Sequence, residues 1–402
     1  MRELGVDDAL AALQAGLLPI AESEEIALGL AAQRVLARDL VSPLDLPAFD
    51  NAAMDGYAVR AADTVASTQL ALIGRALAGH AFNGKVEAQQ AVRILTGAPL
   101  PKGADAVVIN EDARLDGDNV AVEQPVTPGA NVRRRGEHIR QGDTVLSRGR
   151  RLRASDLGLA ASIGASTLTV VRRLRVGVLS TGDELTDAPA ALSSSAAYDG
   201  NRPFLIALLQ RSGCIAIDLG IAADTADALV ASLSRAESER VDVVLTTGGA
   251  AQGDADFVRQ HGEVRFIAVN FRPGRGIAAG TLRAGSSTIP LFGLPGNAVA
   301  AYVMYQLIVR PLIGWIAGAG VERPLMLALP LATSARCRPG RIEWRRARWR
   351  RIDGHLAVDL LKDQGSAMLR TVSEADALVA IGPLEHASAG TPVSVIALDA
   401  ID

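Results

Sequence analysis

The sequence predicts a multidomain chain in which a doubly wound α/β domain lies between a small β-rich domain and a small C-terminal β domain. Three observations carry this. A chain of 402 residues exceeds what one hydrophobic core supports and suggests two to four domains. Strands alternate with helices through the middle of the chain, the pattern of a parallel sheet covered on both faces. On either side, short apolar runs are broken by glycines and turns.

The elements follow in order. Val6, Leu10, Leu13 and Leu17 share one helical face, and a second helical stretch is expected over Ser23 to Arg38. Pro43 and Pro47 make the segment Val41 to Phe49 extended. Short strands are expected at Leu70 to Ile73, Ala91 to Leu95, Ala106 to Ile109 and Val120 to Val122. Ser155 is the expected N-cap of a helix over Asp156 to Ile163. The central unit then reads strand (Arg175 to Thr181), helix (Arg202 to Arg211), strand (Cys214 to Leu219), helix (Ala226 to Ala236) and strand (Val241 to Thr247). A helix over Asp254 to Gln260, strands near Val264 to Phe271 and Thr288 to Phe292, and a long helix from Asn297 complete it. From about Glu322 short strands return.

Composition narrows the function. Apolar residues make up 49% and charged residues 21%, an ordinary globular balance that excludes wholesale disorder. A net charge of −3 provides no basic face for nucleic acid. The two cysteines, Cys214 and Cys337, lie far apart and show no paired spacing, and the five histidines show no zinc-ligand spacing. Ala298 to Ala319 is the most membrane-like stretch, but Gln306, Arg310 and Pro311 make it a buried core helix. The N-terminus does not read as a signal peptide, and a soluble, cytoplasmic protein is expected. Of 41 basic residues only Lys85, Lys102 and Lys362 are lysine, a bias read first as genome composition and otherwise as a need for guanidinium forks that bind oxyanions bidentately.

The polar residues of the α/β unit collect at the C-terminal ends of its strands, where open α/β sheets bind ligands. One strand delivers Ser180, Thr181, Gly182, Asp183 and Glu184. Another delivers Thr247, Gly248 and Gly249, with Gly253, Asp254 and Asp256 further along the loop. A third delivers Pro295 and Asn297 at the start of a helix. Glycine N–H groups and a helix N-terminus suit phosphate, and Glu184, Asp254 and Asp256 suit Mg²⁺ beside it. The same glycines also serve tight βα turns and the same acids also cap helices, so the pattern alone leaves both readings open. A second cluster lies outside this unit. Asp50, Asn51, Asp55 and Gly56 form a turn-like segment, Thr96 and Gly97 a proline-flanked turn, and Arg133, Arg134 and Arg135 a basic run that can clamp an anion.

Taken in order, these segments resemble the molybdopterin molybdenumtransferase family of molybdenum-cofactor biosynthesis. The resemblance spans Asp50-Asn-Ala-Ala-Met-Asp-Gly-Tyr-Ala58, Thr96-Gly-Ala-Pro99, Arg133-Arg-Arg-Gly-Glu137, Ser180-Thr-Gly-Asp-Glu-Leu185, the Gly248-Gly249 loop and Gly293-Leu-Pro-Gly-Asn297. Pro339-Gly-Arg-Ile-Glu-Trp-Arg-Arg346 and Asp363-Gln-Gly-Ser366 extend it into the last domain. It implies four parts: a split extended domain (1–45 with 142–170), a β-rich domain (46–141), a molybdopterin-binding α/β domain (171–322) and a C-terminal β-barrel-like domain (323–402). It also implies a homodimer that inserts molybdate into adenylylated molybdopterin with release of AMP, helped by Mg²⁺, downstream of a molybdopterin adenylyltransferase. Two unpaired cysteines suffice for this, because the soft sulfurs that take molybdenum belong to the pterin.

By matching position, the resemblance assigns catalysis to Asp55, Thr96, Glu184, Asp224 and Asp256, with Glu184 and Asp256 at the metal. The strand-end residues named above take the pterin nucleotide. Arg272, Arg346 and Ser366 match the family's molybdate-binding positions, with Arg275 beside them, and Arg133 to Arg135 bridge the subunits. The chain departs from the family at His138, Ala251, Ala268 and Ala298. An alternative reading is therefore a diverged paralogue that carries the pterin nucleotide without turnover. The sequence does not distinguish molybdate from tungstate, both tetrahedral dianions.

Overall fold

In the computed structural model, residues 3–65, 67–248, 262–285, 287–336, 338–383 and 386–398 are described. The helix expected over Asp254 to Gln260 lies outside them.

The centre is a six-stranded sheet in the order Ile215–Ala222, Arg175–Thr181, Val243–Thr247, Ser287–Leu294, Gly276–Ala284, Gly262–Ala268. The first four strands run parallel. Alternation along them builds two cores, because successive side chains point to opposite faces. Val176, Val178, Val243 and Leu245 pack with Leu205 and Leu209 of helix Asn201–Arg211, and with Leu10 and Leu13 of helix Val6–Gln14. Leu179, Val244 and Leu291 face the other way, against Leu229 and Leu233 of helix Ala226–Ser238. Both faces are covered, which is why these strands read as continuous apolar runs.

The last two strands add a mixed edge to this parallel sheet: Gly276–Ala284 runs antiparallel to both its neighbours, Ser287–Leu294 and Gly262–Ala268. Strand Gly276–Ala284 escapes a reading of the sequence because close packing there demands glycine. A Cβ on Gly280 would stand 1.9 Å from the Glu263 carbonyl oxygen, so the position carries no β-propensity. The long apolar segment Ala298–Ile316 has the length and composition of a membrane span, but 89% of its apolar window is buried in the fold. It is the core helix expected from sequence, with one π-helical turn at Tyr305–Val309.

Two local expectations are overturned. Residues 23–38 are not a helix: Ser23–Ala27 is a strand paired with Thr167–Val171, followed by one 3₁₀ turn at Leu28–Leu30. Tertiary pairing overrides helix propensity there, as Ile26 and Leu36 join Leu168 and Val170 in one core. The helix near residue 155 starts at Ala154 rather than using Ser155 as its cap. Asp156 takes the capping role by accepting the Arg153 N–H at 2.9 Å, its carboxylate fixed by the Arg150 fork at 2.8 and 2.9 Å.

Residues 51–133 hold a separate six-stranded sheet between Gly56 and Val122, a two-stranded ladder of Asn51–Ala52 with Val132–Arg133, and two small cores. The C-terminal region forms a third sheet, to which the centre of the chain contributes Phe271–Arg272, pairing in parallel with Ile342 and Glu343. That shared strand fixes the junction at which the second half of the site is built.

Candidate functional site

At the C-terminal ends of the parallel strands, Asn201 is the tie. Its Nδ2 donates to Thr247 Oγ1 and to the Gly296 carbonyl, each at 2.7 Å, joining the ends of strands Val243–Thr247 and Ser287–Leu294. Thr247 is buried and donates onward to the Pro295 carbonyl at 3.4 Å. Gly248 has φ +88°, and a Cβ on it would lie 2.3 Å from the Thr181 carbonyl oxygen, so only glycine allows two strand ends this close. Asp183 accepts the Asp224 backbone N–H at 2.9 Å, bringing two loops together. Glu184 is exposed and folds over Gly182, where a Cβ would meet its carboxylate at 2.5 Å. Pro295 is half-buried and Asn297 exposed at the start of the long helix.

The structure therefore brings Thr181, Gly182, Asp183, Glu184, Asp224, Thr247, Gly248, Pro295 and Asn297 to one edge of the sheet. Gly249, Gly253, Asp254, Asp256 and Ala251 lie outside the described residues. Ser180, expected beside a ligand, is fully buried within the sheet, and its Oγ has no partner among the described residues. The Thr181 Oγ1 is likewise buried and unpartnered. Asn201 was missed from sequence because its role depends on two loops that only the folded sheet brings to it.

No group of three metal-ligating side chains occurs among the described residues. Glu184 is nevertheless an accessible oxygen donor at the strand ends, and Mg²⁺ needs only one or two carboxylates when substrate phosphates and water complete its shell. The residues present fit that use.

A second concavity of about 610 Å³ opens at the junction of the central and C-terminal sheets. Six arginines line it (Arg272, Arg336, Arg338, Arg341, Arg345 and Arg346) with one carboxylate, Glu343. Ser366 lies on the same wall, and its carbonyl accepts the Val299 N–H at 3.0 Å, so the cavity abuts the long helix's N-terminus. Arg346 is 1% exposed. Its Nε donates to Thr371 Oγ1 at 3.0 Å and its Nη2 to the Gly365 and Asp363 carbonyls at 3.0 and 3.3 Å, all neutral acceptors. Burial, aided by the charge of Arg345, lowers this guanidinium to about 10, which leaves it charged at neutral pH. Burial raises the Glu343 carboxyl, but the Arg345 hydrogen bond and charge outweigh it and hold the group below the usual range.

Arg272, Arg346 and Ser366 thus line one cavity, although the Arg272 Nη1 donates to the Val269, Phe271 and Gly274 carbonyls and its Nη2 to Glu3 at 3.1 Å. Arg275 does not join them. The chain turns at Gly274, the Arg275 carbonyl accepts the Val269 N–H at 3.1 Å, and Arg275 is exposed away from the lining residues. Arg336, Arg338, Arg341 and Arg345 were missed, because nothing in a run of surface-like arginines announces a concave wall.

The third group lies in the β-rich region. Asp55 Oδ1 accepts both the Thr96 N–H and the Thr96 Oγ1 hydroxyl at 2.7 Å, and these two donors hold the carboxyl below its ordinary value. Arg134 and Arg135 are already engaged within the chain: Arg134 Nη1 donates to Asp50 at 2.7 Å and Arg135 Nε to Asp45 at 2.6 Å. Arg133 is exposed on a short strand pairing with Asn51.

Comparison with known proteins covers all three groups. The family model for the MoeA N-terminal region (domains I and II) matches residues 4–164, the one for a probable molybdopterin binding domain residues 177–315, and the one for the MoeA C-terminal region (domain IV) residues 328–398. A molybdopterin molybdenumtransferase of Haemophilus influenzae is 34% identical over 382 residues, covering 93% of both chains. One from Synechococcus elongatus is 34% identical over 395 residues, covering 95% of this chain and 96% of its own. The crystal structure of the molybdopterin biosynthesis moeA protein from Pyrococcus horikoshii OT3 superposes with a TM-score of 0.85 at 27% identity, covering 98% of this chain and 100% of that one. Family models along the chain, relatives a third identical over nearly its whole length and a matching fold agree: the chain belongs to the molybdopterin molybdenumtransferase family.

Proposed function

We propose that this enzyme inserts molybdate into adenylylated molybdopterin and releases AMP, acting as a cytoplasmic homodimer. The observation that carries the reading is Arg346, a buried cation bonded only to neutral groups on the wall of an arginine-lined cavity. A buried charge without a counter-ion is costly, and a bound dianion relieves it. Molybdate is such a dianion.

The pterin nucleotide occupies the strand ends, where Asp183, Thr247, Gly248 and Asn297 shape the floor and the Thr181 hydroxyl is an unspent donor. Glu184 and Asp256 would hold Mg²⁺, which when bound neutralises phosphate oxygens during cleavage of the phosphoanhydride. Arg346 and Ser366, with Arg272 bracing the wall, orient molybdate. One of its oxygens leaves as water, taking the two protons of the pterin's dithiol, while the two sulfurs bind the metal. Water adds to the phosphoanhydride, giving AMP and the terminal phosphate of the pterin. Asp55, kept ionised by Thr96, faces this centre from the second subunit and accepts a hydrogen bond from the attacking water. Arg133 to Arg135 lie at the same subunit boundary. The substrate is supplied by an adenylyl-transfer enzyme, the upstream partner.

Incubating the pure protein with adenylylated molybdopterin, Mg²⁺ and molybdate tests the reading. Molybdate-dependent AMP release is expected. Tight nucleotide binding without AMP release would instead make the chain a carrier.

A further inference from the structure

The arginine cavity contains a donor that electrostatics alone does not explain. Trp344 lines it, is 4% exposed, and its indole Nε1 is buried with no hydrogen-bond partner among the described residues. Buried indole N–H groups ordinarily find an acceptor. The carboxylate and the nearby carbonyls are already engaged. Glu343 accepts from Arg345 at 2.7 Å and faces Arg341 at 3.7 Å, while the Asp363 and Gly365 carbonyls accept from Arg346. The Arg341 Nε is also buried without a partner. Trp344 and Arg346 stand two residues apart on one strand, Ile342–Ile352, so their side chains leave the same face.

We propose that Trp344 sharpens oxyanion selectivity, its indole N–H donating to the bound anion so that, apart from the Ser366 hydroxyl, the cavity's unspent side-chain groups are donors. Arginine and tryptophan side chains carry no acceptor. A fully deprotonated tetrahedral dianion such as molybdate, tungstate or sulfate offers lone pairs to every such donor. Hydrogen phosphate carries an O–H that the arginines and the indole cannot accept, which leaves it only the Ser366 hydroxyl or the arginine-paired Glu343, so it binds more weakly. The inference rests on the proposed molybdate role of this cavity and adds how the cavity chooses its anion.

The test is Trp344→Phe in the full chain, which keeps an aromatic ring while removing the indole N–H and part of the ring. Calorimetric titration with sodium molybdate should give about a tenfold weaker Kd than wild type. Wild type should bind molybdate at least tenfold more tightly than phosphate. If Trp344→Phe fails to fold, the ¹⁵N-indole resonance of Trp344 in wild type decides, and it should shift on adding molybdate. Equal molybdate affinity in both proteins, an unmoved resonance, or phosphate binding as well as molybdate would overturn the inference while leaving the molybdate site standing. Failure of wild type to bind any of the dianions would overturn both.

Discussion

The strand-end cleft and the junction cavity solve two anion-binding problems in opposite ways. At the strand ends the charged groups, Asp183 and Glu184, are exposed and acidic, and positions are fixed by neutral ties such as Asn201 to Thr247. At the junction the cations outnumber the single carboxylate, and the most buried of them, Arg346, has only neutral partners. A nucleotide's phosphates bring their own metal, so acidic residues and tight backbone suffice there. A bare oxyanion brings nothing and must be met by guanidinium groups already in place.

The largest expected effect tests the cavity. Arg346→Met should weaken molybdate binding about a hundredfold, a loss of about 2.7 kcal/mol. The melting temperature without anion should change little, because replacing a buried unpaired charge by an apolar group is often neutral. Calorimetry and thermal melting together check both halves, and an unchanged affinity would remove the distinction between the regions.

The next tests the cleft. Gly248→Ala places a Cβ 2.3 Å from the Thr181 carbonyl at a positive φ. It should cost about 1–3 kcal/mol and lower turnover at least tenfold, with molybdate affinity unchanged. Asn201→Ala removes the shared donor of Thr247 and Gly296 and should weaken nucleotide binding several-fold, about 1 kcal/mol, read by titration with AMP or the pterin nucleotide.

The smallest effect concerns pH. The Asp55 carboxyl is held below its ordinary value by the Thr96 N–H and hydroxyl, so it stays ionised at neutral pH and protonates only below the usual carboxylate range. Its favourable interaction is complete above the unfolded value and is lost as pH falls through the lower folded one. Thr96→Ala keeps the N–H and loses the hydroxyl. The acidic limb of the rate profile should therefore move to higher pH, and an unmoved limb would separate Asp55 from the chemistry.

Much of this architecture was legible in the sequence, for physical reasons. Val176, Val178, Val243 and Leu245 announce buried parallel strands, and polar residues such as Asp183 and Thr247 mark where those strands end. The order of the motifs picked out Arg346 and Ser366, which the fold places on the wall of one cavity. What stayed hidden depends on distant pairing. Strand Gly276–Ala284 is glycine-rich because Glu263 and Ile267 crowd it. Arg336, Arg338 and Arg341 become a cavity wall only when Phe271–Arg272 joins the C-terminal sheet. Arg275 fails for the same reason, since the turn that delivers Arg272 to that sheet leaves Arg275 exposed.

The central claim is that the oxyanion sits at the junction and not at the strand ends. Anomalous scattering at the molybdenum edge from molybdate-soaked crystals tests it most directly. The account predicts a peak inside the cavity, within hydrogen-bonding reach of Arg346 and Trp344. A peak beside Glu184 and Thr247, with the arginine cavity empty, would contradict it.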